Sequence, residues 1–509
     1  MSPSYVTVYS GELSGVSAKL IRVEVDLRVG IHSFTIVGLA DKAVSEAKQR
    51  VSAAIKNSGA KPPNSENRNI TVNLAPADLH KSGSHYDLAI AIGYLCASGQ
   101  IEKFDQRKYL FLGELALDGQ LRPVRGAASM AIMAEREGFE KIILPKENAL
   151  EIRGIAQLST VGCSALGEAL LVLSGKPLLQ NTQGQDQNIV QRETSDAAVQ
   201  NAYPDFSIIK GQEYVKRALT IAAAGMHNIL LVGPPGAGKS ALAHAFPGIL
   251  PPLENRERKE MVQVWSAAGQ TCLRGTNERP FRAPHHSASA LSLIGGGAIP
   301  RPGEISLAHC GTLFLDELPE FPRAVLDNLR EPLESGLICI TRVHERITMP
   351  ARFQLIAAMN PCPCGFFGDE EKECRCTLRE VLRYRKRISG PLLDRIDLNV
   401  HVNRVSIQSL QDEAVPNQSK TIREKVCTAL EFRKNREKIF PPRDVSASLD
   451  TGAKRFAAQL ERVHLSGRGY TRLIKTARTI ADLSQSQTIR EDHVAEAFGY
   501  KFSEDDRGL

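Results

Sequence analysis

The residues best placed to do chemistry lie in LLVGPPGAGKS, residues 230–240. Gly233 is followed, after four residues, by Gly238-Lys239-Ser240, the spacing of a phosphate-binding loop. Such a loop works through its backbone. In the loop Gly233, Pro234, Pro235, Gly236, Ala237 and Gly238, the non-proline residues would turn N–H groups towards phosphate oxygens, helped by the positive end of the next helix. Lys239 would reach the β and γ phosphates of ATP, and Ser240 would ligate Mg²⁺. A chance glycine-rich turn is the alternative. The apolar run NILLV before the loop and SALAHAF after it supply the strand and helix that a chance turn lacks.

A second apolar run, TLFLDELPEF, ends in Asp316 and Glu317. An acid at a strand end can hold Mg²⁺ through its water shell, and a neighbouring carboxylate can orient or deprotonate an attacking water. A third run, RFQLIAAMNP, ends at Asn360, whose amide could hold that water near the γ phosphate. Acids and amides commonly end strands, so each is weak alone; their order behind a P-loop makes the pattern.

The segment NPCPCGFFGDEEKECRC sets Cys362 and Cys364 nine residues before Cys374 and Cys376. Four thiolates are what a tetrahedral structural zinc requires, although C-x-C is tighter than the common spacing. Unligated thiols or a disulfide pair are the other readings. His285-His286 suggests a metal pair only weakly, because adjacent residues of an extended segment face opposite ways. The basic run RYRKR, 383–387, is either an anion contact or a solvated helix face.

These residues need elements to position them. The chain has 509 residues, a formal net charge of +7, 42% hydrophobic and 24% charged residues. That suggests about three domains and a mild basic bias compatible with an anionic partner. No apolar run is long enough to span a bilayer, no signal peptide is visible, and ten cysteines without a leader point to reduced thiols in a cytoplasm. Residues 1–175 alternate strand-like and helix-like stretches and read as an α/β domain. Residues 176–205, rich in Gln and Asn, read as a linker. Residues 206–405 carry the nucleotide site in a second α/β unit. Residues 406–502 read as helical, with Ile422, Val426 and Leu430 on one face, and 503–509 as a tail.

P-loop, DE pair, strand-end Asn and helical C-terminal region together resemble an AAA+ ATPase. RPFRAPHHSASALSLIGGGAIPRPGEISLAHCGTLFLDELPEF and RISGPLLDRIDLNV resemble, more closely, the magnesium-chelatase-like proteins of the ComM/YifB group. The resemblance implies an arginine finger at Arg395, reaching into a neighbouring subunit's site, and a γ-phosphate-sensing lid arginine at Arg468, with Arg472 nearby. Arg395 could instead simply pair with Asp394 or Asp397. NLAPADLHKSGSHYDLAIAIG and LGELALDGQLRPVRGAASMA resemble the Lon protease domain, but its serine position falls on His85 and its lysine position on Met130. That implies the fold without the activity.

The same resemblance implies a helix-2 insert around SALSLIGGGAIPRPGE and a hairpin in LICITRVHERITMPARFQL that would face the pore of a ring, with Arg342, His344 and Arg346 near its tip touching DNA phosphates. It implies a homo-oligomer, a hexamer, that moves DNA strands without sequence specificity in natural transformation. A chelatase motor subunit and a protein-remodelling ring are the alternative readings.

Overall fold

A computed structural model of the chain describes residues 5–39, 41–176, 203–270, 277–297, 300–341, 346–369, 371–405, 416–439, 448–460 and 466–501. The N-terminal part is built on β1 (Tyr5–Ser14), β2 (Ser17–Val29), β3 (Ser33–Val37), β4 (Arg68–Ala75) and β5 (Tyr109–Phe111). It continues through the small hairpin β6 (Glu114–Leu115) and β7 (Leu121–Arg122) to β8 (Lys141–Pro145) and β9 (Ser159–Cys163). Seven of these strands form one sheet in the order β3-β4-β2-β1-β5-β8-β9. β1 and β2 alternate buried and outward residues, the period-2 pattern of a sheet with one covered face. The helices Lys42–Asn57 and Asp87–Ala97 share its core, with Val8, Val23, Val25, Ile70, Leu88 and Ile92 fully buried.

The second unit places β10 (Ile229–Val232) at the heart of a five-stranded sheet. Its other strands are β11 (Phe281–Arg282), β14 (Thr312–Leu315), β17 (Gln354–Met359) and β18 (Leu398–His401), in the order β11-β14-β17-β10-β18. All neighbouring pairs in it are parallel. A parallel sheet is covered on both faces, so its strands are continuous apolar runs: β10, β14 and β17 are buried at every position. Between β11 and β14 runs a short helix, Ala290–Ile294, and a two-stranded ribbon of β12 (Gly295–Gly296) and β13 (Arg301–Pro302). β15 (Leu337–Thr341) and β16 (Arg346–Pro350) form an antiparallel hairpin just before β17.

The C-terminal helices Gln418–Ile439, Thr451–Gln459, Gly467–Leu483 and Glu491–Gly499 pack on this sheet. Ile422, Val426 and Leu430 all face that shared core. The N-terminal unit docks on the second one through helix Asn255–Ala268: Met261 and Val262 share a core with Ala128 and Met130. Ala128 N donates to Ser266 Oγ at 3.2 Å. Val16, at the β1–β2 turn, packs with Val264 of that helix and with Ile347 and Met349 on strand β16 of the hairpin.

Candidate functional site

The loop after β10 starts the helix Lys239–Ala245. Gly236 and Gly238 sit at φ +79° and +88°, which only glycine adopts without strain, so the two turn the chain through a left-handed bend into the helix. Lys239 is buried at this helix start. Its Nζ donates to Gly233 O at 2.6 Å, Pro234 O at 2.9 Å and Asn360 Oδ1 at 3.1 Å. Burial lowers the Lys239 pKa, while Asp316 and Glu317 nearby favour its charged form. Ser240 Oγ donates to Asp316 Oδ2 at 2.7 Å. Thus β10, β14 and β17, adjacent and parallel, bring the loop, the acids and the amide to one edge of the sheet.

The donor set fits Mg²⁺: a hydroxyl and a carboxylate oxygen, both hard oxygen ligands, stand together where the cation would need them. Glu317 takes φ +53°, a left-handed backbone uncommon for a non-glycine residue, and its N–H donates to Asp316 Oδ1 at 2.9 Å. Its carboxylate meets His286 Nδ1 at 3.3 Å. The sequence reading missed this partner. His285-His286 lies in a turn rather than an extended segment, and the two rings stand 4.1 Å apart instead of facing opposite ways. His286 is therefore placed beside an acid, while His285 Nδ1 meets Ser287.

Arg395 and Arg468 are not brought to Lys239. Arg395 follows helix Gly390–Leu393 and precedes β18. Its backbone carbonyl accepts from Asn228 Nδ2 at 2.9 Å, at the start of β10, whereas the P-loop follows the end of that strand. A four-residue strand separates the two by roughly 13 Å. Arg395 bonds Pro391 O at 2.7 Å and pairs closely with Glu334. Arg468 reaches the same Glu334 at 3.5 Å, and Arg472 meets Asp397 at 3.7 Å. The two arginines converge on one carboxylate, at the sheet edge opposite their own P-loop.

The cysteine sulfurs converge. Cys362 and Cys364 are 3.4 Å apart, Cys362 and Cys374 3.7 Å, and Cys364 and Cys374 3.6 Å. Cys376 Sγ lies within 4.8 Å of all three. Arg342 and His344 lie outside the described residues, and Arg346 opens β16.

In the N-terminal unit, His85 and Met130 flank Gly11. His85 hydrogen-bonds the Gly11 backbone, and the Met130 side chain lies 3.1 Å from where a Cβ on Gly11 would stand. Ser82 Oγ donates to Glu12 Oε1 at 3.2 Å, and Tyr86 makes a very short bond to Oε2 of the same carboxylate. Lys81, fully buried, turns its Nζ to Pro76 O. Burial pushes Glu12 up to about 7 and His85 down to about 4. A cavity of about 1120 Å³ lies beside them, lined also by Asp41, Glu114, Arg125 and Ile347.

Comparison with known proteins agrees with this geometry. A family model described as magnesium chelatase, subunit ChlI, matches residues 205–410. Models for subunit ChlI of Mg-chelatase and for its C-terminal region match 23–148 and 416–501. The chain therefore belongs to the magnesium-chelatase-like AAA+ proteins. It is 43% identical over 508 residues to the competence protein ComM of Haemophilus influenzae, covering 98% of this chain and 97% of that one. It is also 43% identical over 508 residues to YifB of Escherichia coli, covering 97% and 96%. Within that class it is a member of the ComM/YifB family. The magnesium-chelatase 38 kDa subunit of Rhodobacter capsulatus is more distant, 26% identical over 331 residues, 60% of this chain and 88% of that one. Membership suggests ATPase chemistry with ATP and Mg²⁺, and an oligomer. Among the described residues no helix is long and apolar enough to cross a membrane.

Proposed function

We propose that the chain is an ATP-driven motor that assembles into a ring, a hexamer, and promotes branch migration of DNA recombination intermediates during natural transformation. Lys239 takes the β and γ phosphates, and Ser240 and Asp316 hold Mg²⁺. Glu317 orients the attacking water, with Asn360 beside it. Mg²⁺ held by Ser240 and Asp316 would neutralise charge on the phosphates. Arg395 and Arg468 serve the next subunit's site.

The observation that carries this reading is the division of the site across one sheet. The loop and acids sit at one edge and the arginines at the other, which supports completion of the constellation by a neighbouring chain. Two further features support DNA as the load. The β15–β16 hairpin leads through residues 351–353 into β17 and Asn360, so a pull on the hairpin bears on the nucleotide site. A relative at 43% identity is named a competence protein. Arg342, His344 and Arg346 are the proposed phosphate contacts, which would give salt-sensitive binding without base readout.

The test is ATP turnover by the wild-type chain and Lys239→Ala, with and without single-stranded, duplex and branched DNA, beside conversion of a labelled four-way junction. DNA-stimulated turnover, and junction conversion that needs ATP and Lys239, support the motor. If DNA changes neither, the reading fails, and a protein substrate or a chelatase partner takes its place.

A further inference from the structure

The cysteine loop begins two residues after Asn360 and reaches back to the P-loop. Cys362 is fully buried immediately beyond β17. Gly365 N donates to Cys362 O at 3.0 Å, closing a tight turn at φ +88°. A Cβ on Gly365 would stand 2.5 Å from Pro235 Cδ, so this turn lies flat against the P-loop. The segment between the two cysteine pairs is pinned from outside. Arg404 bonds Asp369 at 3.0 Å and Glu371 at 3.1 Å and lies over the Phe366 ring. Arg385 bonds Pro361 O at 3.3 Å and lies over Phe367.

The sulfur geometry selects the occupant. Four thiolates at about 2.3 Å from one tetrahedral metal stand roughly 3.8 Å apart. The observed separations of 3.4–3.7 Å match that, and all four sulfurs fall within 4.8 Å of one another. A disulfide would bring two sulfurs to about 2.0 Å. An iron–sulfur cluster shares the thiolates among several irons and needs a wider cage. A single soft-ligand tetrahedral ion remains, and zinc is the one that takes this geometry without redox chemistry.

We infer that Cys362, Cys364, Cys374 and Cys376 hold one zinc ion as a strut that fixes Pro235 and Asn360, so that ATP binding and turnover depend on metal in the cysteine loop. This rests on the reading of Lys239 and Asn360 as an ATP site, and it adds a control that the site's own residues do not show. Without the ion the four sulfurs are no longer tied to one another, and both walls of the phosphate cradle lose a fixed neighbour. The residues involved act through position; none of the four cysteines touches nucleotide.

The experiment uses the full chain purified with reductant and without chelator. Zinc and iron are counted by mass spectrometry of the metals, and affinity for a fluorescent ATP analogue is measured alongside. One zinc per chain is expected. Cys364→Ala should lose the zinc and bind the analogue about tenfold or more weakly. Gly365→Ala should keep the zinc and still lose affinity, because the new Cβ presses on Pro235; if Cys364→Ala fails to fold, analogue binding by the wild-type chain before and after zinc is stripped by a chelator decides the matter. Iron in place of zinc, no metal at all, or analogue binding unchanged in both variants overturns the inference. DNA stimulation is read separately. A chain whose ATP binding needs zinc but ignores DNA keeps the strut and loses the motor; the reverse keeps the motor and loses the strut.

Discussion

Two regions of this molecule gather the same residue types, and only one arranges them for a reaction. Around the P-loop, Lys239 rests on two loop carbonyls and the Asn360 amide, and Ser240 rests on Asp316. Those partners are neutral or metal-ready oxygens that a phosphate and a cation can replace. In the N-terminal unit, Lys81 is also beside a serine, yet its Nζ turns away to Pro76 O while Ser82 donates to Glu12. A serine nucleophile needs a base on its proton. Here the lysine is not on the serine's proton, and the position resembling the protease nucleophile holds His85. Composition is shared; orientation separates the two sites.

The comparison can be broken from the working side first. Lys239→Ala should lower ATP turnover by about 100- to 1,000-fold, since a preorganised phosphate donor is lost. Glu317→Gln should lower turnover by about 100-fold while leaving nucleotide binding intact, as measured by equilibrium binding beside steady-state hydrolysis. His286→Ala should act through Glu317 and cost less, about tenfold in turnover with unchanged nucleotide affinity. If its affinity falls and its turnover at saturation does not, the His286–Glu317 contact is only structural.

The N-terminal side gives the smallest effect on activity and a clear effect on stability. Burial, the leading cause, raises Glu12 from 4.5 to about 7, against lowering by its bonds from Tyr86 and Ser82. Below 4.5 the group is protonated in both folded and unfolded chains and adds no penalty. Between 4.5 and 7 the folded chain keeps a proton that the unfolded chain has lost, so stability falls as pH rises. Above 7 the penalty is complete, on the order of 3 kcal/mol. Glu12→Gln should therefore be more stable than wild type at pH 8, level with it at pH 4.5, and close to it in ATP turnover. Thermal unfolding across that range checks the sign. A wild-type chain that gains stability between pH 4.5 and 7, with the gain absent in Glu12→Gln, would show that Glu12 is ionised and paired.

What the sequence made legible was local. The P-loop lies within eight residues, and its strand and helix are read from adjoining apolar runs. Asp316, Glu317 and Asn360 are legible because each ends such a run, and a parallel sheet places strand ends together. The cysteine pairs were visible, but not their contact with Pro235, because a close approach of glycine to a distant loop leaves no periodic mark. Glu334 was invisible for the same reason: it lies 61 residues from Arg395 and 134 from Arg468. Ser82 and Glu12, 70 residues apart, meet only once β1 is laid in its sheet. His286 was misjudged because a turn was read as extended chain.

The claim that the ATP site is completed by a neighbour is tested most directly by mixing two inactive variants. Lys239→Ala lacks a working P-loop but keeps Arg395; Arg395→Ala keeps the P-loop and lacks the finger. Neither should hydrolyse ATP appreciably alone. Mixed in equal amounts and allowed to assemble, they should recover part of the wild-type turnover, because a Lys239→Ala subunit lends Arg395 to an intact P-loop beside it. Turnover that stays at the level of the separate variants, in mixtures shown to co-assemble, would contradict the account.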